Sequence, residues 1–184
     1  PSAPYPVLLL GGEHGSGKSM VTAMLRALLD AHRIAMRGLP RDERDFVVSA
    51  LRSRCLFYDN AAEIPGWLSD AMARISSGSG YATRLLYSDA DEMEFFGARL
   101  IAVNSIVDPA TRPDLVDRAV AVQLGVLEGR RRRPDADLWE EFHTLRPHAM
   151  AALFTGVSAA LRNRSGAAHV AQGRNPNFEK WVTG

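Results

Sequence analysis

The chain has 184 residues, 46% hydrophobic and 23% charged, which excludes collagen-like and disordered classes and fits one ordinary globular domain. Its formal net charge of +1 excludes a polycation, so any nucleic-acid binding has to come from local patches. No apolar run approaches the ~18–20 residues that cross a bilayer, a lone Cys55 excludes an internal disulfide, and no secretory signal is visible, so a cytoplasmic chain without membrane contact is expected.

After a Pro-rich entry that reads as a cut within a longer protein, Val7–Leu10 is a short apolar run of the kind found in buried parallel strands. Gly11–Gly17 is a glycine-rich turn, and Lys18–His32 carries apolar residues at helical spacing. Ile34–Met36 reads as a short strand, Pro40–Arg52 as a helix with Phe46, Val47, Ala50 and Leu51 inward, and Cys55–Tyr58 as a second buried strand. A helix over Pro65–Ser76 follows, then Tyr81–Tyr87 and Glu92–Phe96 flank a polar turn as a hairpin. Arg99–Val103 and Ala119–Leu124 read as further strands, and Leu138–Leu161 as a helix with an interruption at Pro147. Beyond Arg162 a loose polar tail is expected, with Phe178 and Trp181 docking it. Strands alternating with helices point to an α/β fold with a mainly parallel sheet.

Gly12-Glu13-His14-Gly15-Ser16-Gly17-Lys18-Ser19 matches G-x-x-x-x-G-K-[ST], with an apolar strand before it and an amphipathic helix after it. Glycines at this spacing let backbone N–H groups turn toward phosphate oxygens, and the following helix points its positive end at them. Lys18 then reaches the outer phosphates and the Ser19 hydroxyl ligates magnesium, which makes ATP and Mg2+ the expected ligands. Only two of the 22 basic residues are lysines, Lys18 and Lys180, so a lysine at 18 stands out in an arginine-rich chain. The bland alternative is a glycine-rich surface turn, and His14 within it reads as a solvated side chain.

Asp59 ends a buried strand, the place where phosphate-loop enzymes hold the magnesium shell, although a turn aspartate fits the same position. Its neighbour Asn60 stands where an acid that activates water is usual, and an amide takes no proton. Asn104 ends the third strand, suited either to a γ-phosphate contact or to capping a turn. Arg118 precedes the fourth strand, suited either to a neighbour's nucleotide or to a salt bridge with Asp114 or Asp117.

This order resembles the AAA+ ATPases, and more narrowly the superfamily 3 and phage-type primase-helicase ATPase domains of viruses and mobile elements. The stretches LLLGGEHGSGKS, LPRDERD, LFYDN, GYATRLLY and TRPDLVDRA are also similar to a group of bacterial, often prophage-borne, ATP-binding proteins. The resemblance spans about residues 5–165. It implies that Lys18 and Ser19 serve Walker A, Asp59 Walker B, Asn104 sensor 1, and Arg118 an arginine finger reaching the neighbouring subunit. It implies Arg146 as sensor 2 and places Arg84 in a pre-sensor hairpin. Asn60 departs from the pattern.

The expected organisation is an ATPase core over 1–126, a helical lid over 127–165 packed on the sheet, and the tail over 166–184. Arg130-Arg131-Arg132-Arg133 is either a solvated linker or, with Arg84, a phosphate-contacting patch for single-stranded or forked DNA. The favoured function is an ATP-hydrolysing DNA motor of replication or mobile elements, working as a homo-oligomeric ring. Two alternatives stay open: a monomeric phosphate-loop kinase acting on a small molecule, with its Arg-rich segment clamping the phosphate donor, and a slow or non-hydrolysing nucleotide switch that binds a protein.

Overall fold

The computed structural model describes residues 5–84, 92–106, 112–129, 132–163 and 178–179. The chain order is β1 (Val7–Gly12), α1 (Lys18–Leu29), α2 (Glu43–Arg52), β2 (Cys55–Tyr58), α3 (Gly66–Ser77), β3 (Tyr81–Arg84), β4 (Glu92–Phe95), β5 (Leu100–Ser105), α4 (Pro113–Val116), β6 (Ala119–Leu124) and α5 (Asp135–Asn163).

Four strands form one parallel sheet in the order β2-β5-β1-β6. The third main strand of the sequence, β5, therefore lies between the first and the second. Register then decides what meets at the carboxyl end. Leu10 pairs with Asn104, and Tyr58 pairs with Val103. Asp59, Asn104 and the glycine turn after β1 thus share one edge, at the crossover where ligands enter open α/β sheets.

Alternation along the strands fills two layers. Val7, Leu9, Leu56, Tyr58, Ile101 and Val103 face Phe46, Val47 and Ala50 of α2 and Leu68, Met72 and Ile75 of α3. On the other face Phe57 and Ala102 pack with Leu8 and with Leu25 of α1. Each fully buried side chain of this size contributes about 1.5–3 kcal/mol, so the sheet is fixed from both sides. Asp42 caps α2 by accepting from the Asp45 N–H at 2.8 Å.

Several boundaries differ from expectation. The first helix ends at Leu29, not His32, where Asp30 leaves the helical region. No strand forms over 34–36; Arg37 alone bridges Tyr58, and Gly38 and Pro40 follow directly. The hairpin pairs Tyr81 with Phe95 through Arg84 with Glu92 and lies against α2; its expected tip is outside the described residues. A short α4, with Pro113 in its first turn, was not expected.

The last helix runs unbroken from Asp135 to Asn163 through Pro147. None of its residues is buried, and its substantial contact is with α1, not with the sheet that a packed lid would cover. Apart from 178–179, the tail from 164 onward lies outside the described residues. Among the described residues no helix is long and apolar enough to cross a membrane.

Candidate functional site

The glycine turn is built so that no side chain intrudes. A Cβ at Gly12, whose φ is +154°, would fall 2.9 Å from the Leu124 carbonyl oxygen, a backbone atom that cannot yield. A Cβ at Gly15, with φ +79°, would fall 2.5 Å from an Arg132 guanidinium nitrogen. The turn ends at Gly17, where α1 starts with no side-chain cap and no acidic residue in its first turn. Its first N–H groups and positive end are left for a ligand.

Lys18 folds back on the turn. Its Nζ donates to the Gly12 carbonyl at 2.5 Å and to the Glu13 carbonyl at 2.9 Å. Ser16 is buried, and its Oγ has no hydrogen-bond partner among the described residues. A buried hydroxyl without a partner costs roughly 1–3 kcal/mol, and an anion seated in the turn would satisfy it. Glu13, His14 and Ser19 are exposed at its mouth.

Behind the turn lies a hydrogen-bonded row. Asn104, fully buried, donates from Nδ2 to Asp59 Oδ1 at 3.2 Å and accepts at Oδ1 from the Thr22 hydroxyl at 2.7 Å. Asp59 Oδ1 also accepts from the Asn60 N–H at 3.0 Å, and the Ala61 N–H donates to the Asn104 carbonyl at 3.0 Å. Asn60 sits at φ +56°, a left-handed conformation that asparagine tolerates better than most residues. Sequence reasoning missed Thr22. One signal was available: Thr22 stands one turn beyond Lys18 and Ser19 on the same helix.

A cavity of about 490 Å³ opens beside the turn, a volume in the range of small-molecule sites. Residues 14–20 and Ala23 line one wall, and Asp135 and Trp139 of α5 face them. Neither α5 residue was singled out from the sequence: Trp139 falls within the expected helix Leu138–Leu161 and Asp135 lies ahead of it, although α5 starts at Asp135. Arg146, expected as a sensor, lies two turns beyond Trp139 and does not line this cavity.

The arginine run does not behave as one free patch. Arg132 is held by its own N–H to the Gly129 carbonyl at 3.4 Å and by Nε to the Leu127 carbonyl at 3.2 Å, with its guanidinium over Gly15. Arg133 pairs with Glu141 of α5. Arg130 and Arg131 lie outside the described residues, as does the Arg84 side chain. Arg118 sits at the opposite end of β6 from the turn, its carbonyl accepting from the Val7 N–H at 2.9 Å. Six strand residues separate it from that edge, about 20 Å at the usual rise, so it does not reach its own chain's turn. Its Nε is buried without a partner among the described residues.

Among the described residues no group of three or more His, Cys, Asp or Glu side chains could hold a metal. Magnesium needs no such cage, because one or two oxygen ligands suffice when phosphates and water supply the rest. Ser19 and Asp59 are oxygen donors of that kind.

The chain is similar to the C-terminal region of NrS-1 in its apo A form, with a TM-score of 0.53 and 11% identity over all of this chain and 37% of that one. This chain therefore spans well under half the length of that relative, and the likeness shows a shared fold. It is also similar to the JCV helicase in a small-molecule complex, with a TM-score of 0.47 and 12% identity over 68% of this chain and 37% of that one. No curated protein matches the chain. A family model described as the actinomycete integrative conjugative element replication protein matches residues 1–174. With most of its length matched, the chain belongs to that family of replication proteins.

Proposed function

We propose that this chain is an ATP-binding and ATP-hydrolysing motor domain of AAA+ type, acting on single-stranded or forked DNA during replication of its mobile element. The observation that carries the reading is the row Thr22–Asn104–Asp59, tied together at the sheet edge where the glycine turn leaves β1.

The chemistry follows from the parts. The turn's N–H groups and the uncapped start of α1 receive the phosphates. Lys18 exchanges its carbonyl partners, Gly12 and Glu13, for phosphate oxygens. Ser19 and Asp59 would hold Mg2+, which neutralises phosphate charge. Asn104 keeps the Asp59 carboxylate aimed, and Thr22 keeps the Asn104 amide aimed. Arg132 adds positive charge over Gly15 from the same chain. Arg118 lies too far along β6 to serve its own turn, which favours service to a neighbouring copy in a homo-oligomeric ring.

A second reading, the slow or non-hydrolysing switch, is favoured by Asn60, whose amide takes no proton. Measuring ATPase rate against protein concentration, with and without single-stranded DNA, separates the two. A concentration-dependent, DNA-stimulated rate supports the motor. Tight ATP binding with no DNA-stimulated turnover supports the switch. No ATP binding in the folded chain overturns both.

A further inference from the structure

The cavity beside the glycine turn extends past the region that phosphates need. Phosphates lie along the turn's N–H groups. Beyond the turn the cavity runs beside α1, with Met20 and Ala23 on one side and Asp135 and Trp139 on the other. Trp139 is half-buried on a helix that has no buried residue, so core packing does not account for it. Phe142 meets its ring edge-on, with centroids 5.4 Å apart at 90°, and His143 lies against it at 5.8 Å. These neighbours on α5 hold the indole plane.

The segment that carries Trp139 is also anchored to the turn. A Cβ at Gly17 would fall 3.5 Å from Leu127, and Arg132 lies over Gly15 while bonding back to Leu127. The Arg133–Glu141 pair ties the same segment to α5. The aromatic ring is thus placed by the chain on both sides of it, at the mouth of an open cavity.

Resting on the phosphate-turn reading above, we infer that Trp139 is the nucleobase platform of this site and that Asp135 accepts a hydrogen bond from the nucleoside. Stacking on an aromatic face serves every base, so discrimination among the four nucleotides is weak. The Asp135 carboxylate oxygens serve as acceptors, so the partner is an exocyclic amine or a ribose hydroxyl.

The test is calorimetric titration of the full chain with ATP and with inorganic tripolyphosphate, both in excess Mg2+. The wild-type chain is expected to bind ATP at least ten-fold tighter than tripolyphosphate. Trp139→Ala should lose about 5- to 150-fold in ATP affinity with tripolyphosphate affinity unchanged, and Trp139→Phe should restore most of it. Asp135→Asn should weaken ATP several-fold; loss of that effect with ITP identifies the amine, and its loss with dATP a ribose hydroxyl. A folded Trp139→Ala chain that binds ATP like wild type overturns the platform. So does a wild-type chain that binds ATP no tighter than tripolyphosphate, and in both cases the phosphate-turn reading stands. A wild-type chain that binds neither overturns both. Photolabelling of the wild-type chain with 8-azido-ATP needs no variant: label on the peptide containing Trp139 supports the platform, and label confined to other peptides overturns it.

Discussion

Asn104 holds Asp59 with one end of its amide and Thr22 with the other, at 3.2 and 2.7 Å, so one buried side chain links β5, β2 and α1. The Thr22 hydroxyl donates, which leaves the Asn104 NH2 to face the carboxylate. Removing the hydroxyl leaves the Asn104 oxygen buried and unpartnered and frees the amide to turn. Thr22→Val, close in volume, should destabilise the chain by roughly 1–3 kcal/mol. Thr22→Ser should restore it. In ATPase assays Thr22→Val should lower kcat more than it changes ATP affinity, because it acts through Asn104 on Asp59. Equal Tm and kcat for Val and wild type would sink the positioning role.

Arg132 and Arg133 are neighbours in sequence with different tasks. Arg132 lies over Gly15, whereas Arg133 pairs with the exposed Glu141. Exposed pairs contribute about 0–1 kcal/mol, so Arg133→Ala should leave ATP affinity within two-fold. Arg132→Ala should weaken MgATP binding about ten-fold, the loss of one charge-assisted hydrogen bond. Equal effects from both substitutions, in titrations at fixed ionic strength, would mean that the run acts as general charge.

The strands were legible because Val7–Leu10, Cys55–Tyr58, Arg99–Val103 and Ala119–Leu124 are compact apolar runs bounded by turn residues. Their order in the sheet was not. Whether β5 inserts beside β1 depends on crossovers that no local window contains, and that insertion brings Asn104 to Asp59. The glycine turn was legible as a motif. Thr22 was marked only by its place one turn beyond Lys18 and Ser19, and its partner Asn104, 82 residues away, lay in no local window. Trp139 falls inside the expected helix Leu138–Leu161 with no motif to mark it, and α5 buries none of its residues. The expected strand over 34–36 shrank to one bridge at Arg37, where Gly38 and Pro40 follow.

Arg118 tests assembly. An arginine supplied by a neighbour contributes about 10³–10⁵ in rate in related phosphoryl transfer. Arg118→Ala and Lys18→Ala should each be nearly inactive alone. Mixed, they should recover part of the activity, since some interfaces pair an intact Lys18 site with an intact Arg118. Absence of recovery at concentrations where sedimentation shows oligomers would remove Arg118 from the shared site.

Tyr58 predicts an alkaline weakness. The ring is buried between α2 and the sheet, and its hydroxyl has no partner among the described residues. Burial pushes the phenol well above its ordinary value, with Arg37 opposing more weakly. The unfolded chain therefore loses this proton from about pH 10 while the folded chain keeps it, so stability is present below pH 10 and falls above it. Cys55, also raised by burial, adds the same sign from about pH 8.5. Tyr58→Phe removes an unpartnered buried hydroxyl and should not lower Tm at pH 7. It should also flatten the decline above pH 10. A Phe variant with the same alkaline slope as wild type would show that Tyr58 does not titrate with unfolding.

Asn60 is explained by its backbone before its chemistry. At φ +56° a residue with an ordinary side chain is strained by about 1–2 kcal/mol, whereas asparagine and aspartate visit this region through local hydrogen bonds. Its N–H also donates to Asp59 Oδ1 at 3.0 Å, so the conformation helps to hold the carboxylate. Asn60→Glu therefore adds strain along with its acid, and Tm should drop by about 2–4 °C per kcal/mol in a chain of this size. Asn60→Asp and Asn60→Gly suit the backbone and should keep Tm. A general base contributes typically 10²–10⁴-fold, so wild-type single-turnover hydrolysis should be slow despite good ATP binding. Asn60→Asp is the acid that fits the turn and should raise that rate at pH 7, where its carboxyl is ionised, while Asn60→Gly should not. Fast wild-type turnover, unchanged in Asn60→Asp, would place the proton acceptor elsewhere and leave Asn60 with its backbone role alone.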